Sequence, residues 1–295
     1  MLPMKTFTSS RFWIKLLSLF TVVRGYNIAV LILAQYLTSR YILAPKANLL
    51  EIILDPNLFA LILATACSTA AGYIINNFYD AEKDKINRPK KYLLEHLISQ
   101  QSQLVLYFLL NGATLIAAGF VSFNAILFFL VYIFGIWLYS SSLKRLFWIS
   151  NLFATLLVIF PFFAITLYFK NFDTVVVYHA SFLFFLILTR DMIKDLENFK
   201  GDWVKQYQTL PVVFGYRFSK LLISLTTLMT LLPTYWLIKS SLGLMTYYFY
   251  FSIVLLLIVL IMLWEGSTQK RYLWIHNLLK VHIFFGVFGI YFIYK

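Results

Sequence analysis

Acidic residues are scarce in this chain: twelve Asp and Glu stand against twenty-five Lys and Arg in 295 residues, and charged residues of both signs make up only 13%. With 61% hydrophobic residues and a mean hydropathy of +0.79, that scarcity excludes a soluble core of this size and indicates a polytopic membrane protein. The single cysteine, Cys67 in the middle of an apolar run, excludes an internal disulfide and a cysteine-based metal site. Low-complexity tracts and linkers rich in Pro, Gly or Ser are missing, so nothing marks an extramembrane domain, and residues 1–295 read as one integral-membrane domain. A small-residue cleavage site is missing after the first apolar stretch, where Val22-Val23-Arg24-Gly25-Tyr26-Asn27 carries an arginine. That stretch therefore reads as a retained span. His96, His179, His276 and His282 form no ligand spacing and read as packed or interfacial residues.

Apolar runs of about 20 residues give nine expected spans, centred near Val30, Ala66, Gly112, Val131, Ile159, Phe185, Thr227, Leu255 and Gly286; the fourth, over about 125–139, is short. The fold class is therefore all-α. Lys and Arg in short loops stay on the cytoplasmic side, and nine spans with a cytoplasmic N-terminus place twenty of the twenty-five basic residues there. They lie in the N-terminal segment (Lys5, Arg11, Lys15, Arg24), after span two (Lys83, Lys85, Arg88, Lys90, Lys91) and after span four (Lys144, Arg145). The others follow span six (Arg190, Lys194, Lys200, Lys205, Arg217, Lys220) or lie at the entry to span nine (Lys270, Arg271, Lys280). Arg40, Lys46, Lys170, Lys239 and Lys295 remain outside. A net charge of +13 divided among loops does not make a nucleic-acid surface; most of it serves attraction to anionic membrane lipid, about 1 kcal/mol per residue near the surface.

Seven of the twelve acidic residues fall in two clusters, Asn76-Asn77-Phe78-Tyr79-Asp80-Ala81-Glu82-Lys83-Asp84 and Asp191 to Asp202. Each directly follows a long apolar run and so sits at the mouth of a span, on the cytoplasmic side. A lone charge costs roughly 3 kcal/mol near mid-bilayer, so such carboxylates are expected to have a partner, and a cation is the natural one. At about 100° per residue, Asn76, Asp80 and Asp84 fall within an arc of about 80° and Asp191, Asp195, Asn198 and Asp202 within about 60°. Glu82 and Glu197 lie off these stripes and read as solvated or paired with nearby lysines. The position of the clusters, after spans two and six, hints at an internal duplication.

Magnesium takes oxygen ligands and is usually held by one or two carboxylates together with substrate phosphates. Two oxygen stripes offer sites for two or more ions bridged by a diphosphate, with Lys91, Lys144, Arg145 and Lys194 as donors to the phosphate oxygens. The membrane setting suits an amphiphile whose hydrocarbon tail runs between helices, and thirty Phe and twenty Tyr supply aromatic faces that stabilise an allylic cation.

These residues resemble the UbiA superfamily of intramembrane prenyltransferases, which have nine transmembrane helices around a central cavity and two Asp-rich motifs. The first family motif, N-D-x-x-D-x-x-x-D, is met by Asn76, Asn77, Asp80 and Asp84. The second, K-D-x-E-D-x-x-G-D followed by T-L-P, is met by Lys194, Asp195, Glu197, Asn198, Gly201, Asp202, Thr209, Leu210 and Pro211. A Tyr-then-Lys motif is matched by Tyr139 and Lys144 with Arg145, and Arg24 and Asn27 look like the Arg and Asn of the family's first helix. The chain departs from the pattern at Asn77 and Asn198, where the family has Asp, and at Lys90-Lys91-Tyr92-Leu93-Leu94 in place of the R-P-x-P-S-G continuation.

The resemblance implies Mg2+-dependent transfer of a polyprenyl group from its diphosphate to a lipophilic acceptor. Asn76, Asp80, Asp84, Asp195, Asn198 and Asp202 would hold metal and diphosphate. Arg24, Asn27, Arg88, Lys91, Arg145 and Lys194 would bind substrate, and Tyr139, Lys144 and Asp191 would act on the reacting groups, Asp191 as the acceptor-side base. The style of the second motif is nearest to the branch that prenylates geranylgeranylglyceryl phosphate; aromatic quinone precursors such as hydroxybenzoate or dihydroxynaphthoate are the alternative acceptors. A cation- or proton-coupled transporter is the rival from another class, but transport sites lie at mid-membrane on broken helices, whereas these stripes lie at the rim. A multi-pass protein of the cell inner membrane with its active site on the cytoplasmic side is the expected setting.

Overall fold

A computed structural model describes Trp13, residues 17–147 and residues 149–294. Lys5, Arg11, Lys15 and Lys295, which enter the orientation count, lie outside the described residues. The described chain is helical, with no strand. Its helices are α1 (Gly25–Thr38), α2 (Leu49–Leu54), α3 (Pro56–Asn87), α4 (Pro89–Glu95), α5 (Gln100–Val121) and α6 (Phe123–Ser141), followed by α7 (Ile149–Phe169), α8 (Thr174–Val204), α9 (Leu210–Lys239), α10 (Met245–Trp264) and α11 (Gln269–Gly289).

Eight of the described helices are long and apolar enough to cross a membrane, against nine expected spans. The difference lies in the first span. A helical stretch over 17–22 stops at Arg24, whose φ of +50° is a left-handed conformation that costs a residue with a side chain about 1–2 kcal/mol. Beyond it α1 runs for 14 residues and passes into a π-helical turn over Ser39–Leu43. The short fourth span is a full helix, α6. At the ninth, α11 begins at Gln269 and carries Lys270, Arg271 and Lys280. Arg217 and Lys220 likewise lie on α9.

The polarity of the helices is that of a membrane protein. Large apolar side chains point outward, with Phe120 76% exposed, while hydroxyls are buried and bonded back to their own helix. Thr65 donates to the carbonyl of Leu61 at 3.0 Å, Thr227 to Ile223 at 2.7 Å and Thr234 to Thr230 at 2.7 Å. Satisfying polar groups within the helix is the condition for placing them in lipid.

The chain separates into two compact units. The first comprises residues up to 31 and 60–141. Small residues along α3 (Ala64, Ser68, Ala71) are buried and let neighbouring helices approach closely. Val22, Ala71, Ile74, Ile75 and Tyr107 form one apolar cluster, and Thr114 of α5 donates to the carbonyl of Ala64 at 3.4 Å. The second unit comprises residues 32–59 and 142–295. Within it α8 is central, packing on α7, α9 and α11, with Phe182 edge-on to Phe249 at 5.3 Å and Thr189 donating to Thr226 at 3.0 Å. Gly215, at φ +74°, kinks α9 near its start, a conformation glycine adopts without steric cost.

The start of α3 is capped by Asp55. Its Oδ1 accepts from the backbone N–H of Asn57 at 3.0 Å and of Leu58 at 3.1 Å, and Tyr168 donates its hydroxyl to Oδ2 at 2.7 Å. Pro56 at the first helical position completes the start signal. Asp55→Ala is expected to cost about 1–2 kcal/mol, and Tyr168→Phe less. Thermal unfolding in detergent measures both, and an unchanged melting temperature for Asp55→Ala would contradict the capping role.

Candidate active site

The first motif is carried by the last four turns of α3, so the helix periodicity that the sequence implied is realised. Asn76, Asp80 and Asp84 are half-buried on one face, and Glu82, off the stripe, is exposed as expected. Immediately after α3, Arg88 and Pro89 turn the chain into the seven-residue α4. That turn folds Lys91 back, so its ammonium sits 3.1 Å from Asp84 Oδ2 and 3.2 Å from Glu95 Oε1. Glu95 is 1% exposed. Burial pushes its carboxyl above the ordinary value, opposed by the charge and hydrogen bond of Lys91.

Asn77 faces away from the stripe. It is buried, and its amide donates to Gln103 Oε1 at 3.4 Å, while Gln103 Nε2 donates to the carbonyls of Glu95 at 2.9 Å and Ile98 at 3.2 Å. Through Gln103, Asn77 ties α3 to the end of α4.

Arg24 and Asn27 are brought together on one side chain that the sequence reading missed. The Arg24 guanidinium lies 4.8 Å from the Tyr73 ring centroid, and Asn27 Nδ2 donates to Tyr73 Oη at 3.2 Å. Tyr73 precedes Asp80 by seven residues and Asp84 by eleven, so it shares their helix face; that spacing was the available signal. Tyr139 is half-buried in the last turn of α6.

The second motif occupies the C-terminal third of α8. Asp191, Lys194 and Asp195 are half-buried, Asn198 is buried, and Asp202 is 0% exposed. Asn151 of α7, itself buried, donates Nδ2 to Asp195 Oδ2 at 2.8 Å; it is a second residue that the sequence did not single out. The Lys144–Arg145 pair lies in a 3-10 turn, Lys144 buried and Arg145 exposed. That turn is tied to the segment after α8: the Arg145 carbonyl accepts from the N–H of Gln208 at 3.0 Å, and its guanidinium is 5.7 Å from the Tyr207 ring. Tyr207 in turn donates its N–H to the Asp202 carbonyl at 2.9 Å. Lys144 and Arg145 are thus anchored next to the C-terminal end of the motif. Thr209 then occupies the N-cap position of α9, with Pro211 in the first turn.

Glu197 corrects an expectation. It is buried rather than solvated, and its Oε2 is 2.8 Å from His276 Nδ1 on α11. The pair joins α8 to α11 beneath the motif, and it gives His276 a specific partner.

Among the described residues, no three His, Cys, Asp or Glu side chains converge as a metal cage. Magnesium does not require one, because one or two carboxylates with substrate phosphates suffice. Within each unit the donors are oxygen, the kind that suits magnesium: Asp80 and Asp84 stand four residues apart on α3, and Asp195 and Asp202 seven apart on α8.

Helices of membrane-spanning length that end in carboxylate stripes with cations nearby place the chain in the class of integral-membrane proteins with charged sites at their helix ends. The family model described as "UbiA prenyltransferase family" matches residues 28–294, and the chain belongs to that family. It is 31% identical to the digeranylgeranylglyceryl phosphate synthase of Thermococcus sibiricus, over 63% of this chain and 66% of that one. It is 25% identical to the enzyme of the same name from Thermococcus gammatolerans, over 91% and 95%. A UbiA homologue from Archaeoglobus fulgidus solved with GPP and Mg2+ shares the fold at a TM-score of 0.67 and 16% identity, covering 93% of this chain and 99% of that one. A structure of digeranylgeranylglyceryl phosphate synthase does so at 0.64 and 20%, covering 94% and 97%.

The Glu197–His276 pair generates a stability prediction. His276→Leu leaves a buried carboxylate without its partner and is expected to cost about 1–3 kcal/mol, whereas Glu197→Gln keeps a side chain that can still bond to the imidazole and costs less. Melting temperatures in detergent test the order; equal losses would show that the pair does not set it.

Proposed function

We propose that this protein transfers a polyprenyl group from a prenyl diphosphate to a lipophilic acceptor in a Mg2+-dependent reaction, and that the acceptor is of the geranylgeranylglyceryl phosphate type. The observation that carries this reading is the pair of carboxylate stripes at the ends of α3 and α8, each beside basic side chains, in a member of a prenyltransferase family. The acceptor assignment is supported by relatives named digeranylgeranylglyceryl phosphate synthase and by the style of the second motif. Family membership removes the basis for the coupled-transport alternative.

Asn76, Asp80 and Asp84 in the first motif, and Asp195, Asn198 and Asp202 in the second, would hold the metal. Magnesium, when bound, would neutralise the diphosphate and make it a better leaving group. Asn151 fixes one oxygen of Asp195 by a hydrogen bond. Lys91, Lys144, Arg145 and Lys194, with Arg88, supply donors to phosphate oxygens, and Tyr73 holds Arg24 and Asn27 in position for the same substrate. The bond between C1 of the prenyl chain and the bridging oxygen breaks, the electron pair leaving with diphosphate. An acceptor hydroxyl then bonds to C1 and gives up its proton, for which Asp191 is the proposed base. Aromatic faces stabilise the allylic cation, and a dry setting protects it from hydrolysis. The positive-inside distribution supports a cytoplasmic position for both motifs and residence in the cell inner membrane.

Purified protein is expected to release diphosphate from geranylgeranyl diphosphate only with acceptor and Mg2+ present. Asp80→Ala and Asp202→Ala should each lower turnover by about 10²-fold or more, as loss of a group acting on the leaving charge does. Undiminished turnover in both would remove the metal assignment. A panel of geranylgeranylglyceryl phosphate, hydroxybenzoate and dihydroxynaphthoate with one labelled diphosphate identifies the acceptor, and product only with an aromatic compound would overturn the glycerol-phosphate reading.

A further inference from the structure

The buried Glu95 is not accounted for by any of these roles. It lies outside both motifs, at the end of α4, yet it is 1% exposed and carries a carboxylate. Its Oε1 takes the Lys91 ammonium at 3.2 Å, while its Oε2 is buried with no hydrogen-bond partner. The same ammonium is 3.1 Å from Asp84 Oδ2. One lysine is therefore shared between a carboxylate of the first motif and a buried carboxylate with acceptor capacity to spare. The frame around it is fixed: Gln103 holds the carbonyls of Glu95 and Ile98, and Ser18 donates to the carbonyl of Leu94 at 2.7 Å.

From this geometry we infer that Glu95 is a positioning residue for the first motif: Lys91 neutralises Asp84 until a divalent cation arrives, and Glu95 then receives the displaced ammonium and keeps it next to the site. The inference rests on the reading of Asp84 as a metal ligand. Lys91 and the metal compete for the same oxygen, and the spare acceptor on Glu95 lowers the cost of that exchange. Retained on Glu95 rather than released to solvent, the ammonium stays within reach of the diphosphate that accompanies the metal. An i,i+4 ion pair that only stabilised α4 would have no need of a fully buried carboxylate, because exposed pairs on helices supply the same few tenths of a kcal/mol without the desolvation.

The test uses the full chain in detergent without prenyl diphosphate, titrated with Mn2+ and followed by electron paramagnetic resonance of the free ion. Asp84→Asn separates the two readings: an unchanged affinity there shows that Asp84 is no metal ligand, and the present inference falls with that reading. With Asp84 confirmed, Glu95→Gln is expected to weaken Mn2+ binding about fivefold, the factor that roughly 1 kcal/mol represents, because Lys91 then has Asp84 as its one carboxylate. The charge-balanced double variant Lys91→Met/Glu95→Gln is expected to bind Mn2+ about fivefold more tightly than the wild type. A purely structural pair would make both variants weaker. Wild-type affinity in Glu95→Gln, or a double variant no tighter than wild type, overturns the inference. Should Glu95→Gln alone not fold, the double variant decides, because it removes the pair without leaving a buried charge.

Discussion

A carboxylate at the rim of a membrane must be neutralised, and that constraint decides the length of the two helices on which the motifs lie. A span needs about 20 residues, whereas α3 has 32 and α8 has 31. At 1.5 Å per residue, each exceeds the hydrocarbon core by roughly a third of its length. The excess is the acidic stripe. Because each helix continues unbroken from apolar to acidic sequence, the carboxylates inherit a fixed rotation about the axis from the packed span below, and hydrogen-bonding or ionic partners arrive from other elements: α4 for Asp84, α7 for Asp195, α11 for Glu197.

The same logic orders the interior. Hydroxyls of Thr65, Thr227 and Thr234 turn back to their own helix, which removes them from competition for the motif side chains and keeps the spans featureless to lipid. Two polar contacts between helices hold motif residues. Asn151 to Asp195 and His276 to Glu197 are both of this kind, and both secure α8 from a different side. Positioning of the second motif is thus spread over α7 and α11, while the first depends on a short helix that follows it directly in sequence.

Much of this could be read from the sequence, for a definite physical reason. The spans announce themselves by composition, and the stripes by an i, i+4 repeat that any helix converts into one face. What could not be read depends on contacts distant in the chain or on backbone state. His276 lies 79 residues from Glu197, and no local pattern pairs them, so Glu197 looked like a surface residue. Tyr73 shared the stripe's period but was hidden among twenty tyrosines. The break at Arg24 has a non-glycine residue at positive φ, a position that sequence gives no reason to expect.

The asparagine at position 77, a departure from the family pattern, is matched to the hydrogen bonds of Gln103. Gln103 commits its amide nitrogen to the carbonyls of Glu95 and Ile98, which leaves only its carbonyl oxygen to face position 77. An aspartate there would set a carboxylate, which can only accept, against an acceptor already buried, at a cost of about 1–3 kcal/mol or more; an asparagine donates instead. Asn77 is therefore the residue that Gln103 requires, and Gln103 is the residue that anchors the end of α4. That end carries Glu95, which holds Lys91 over Asp84.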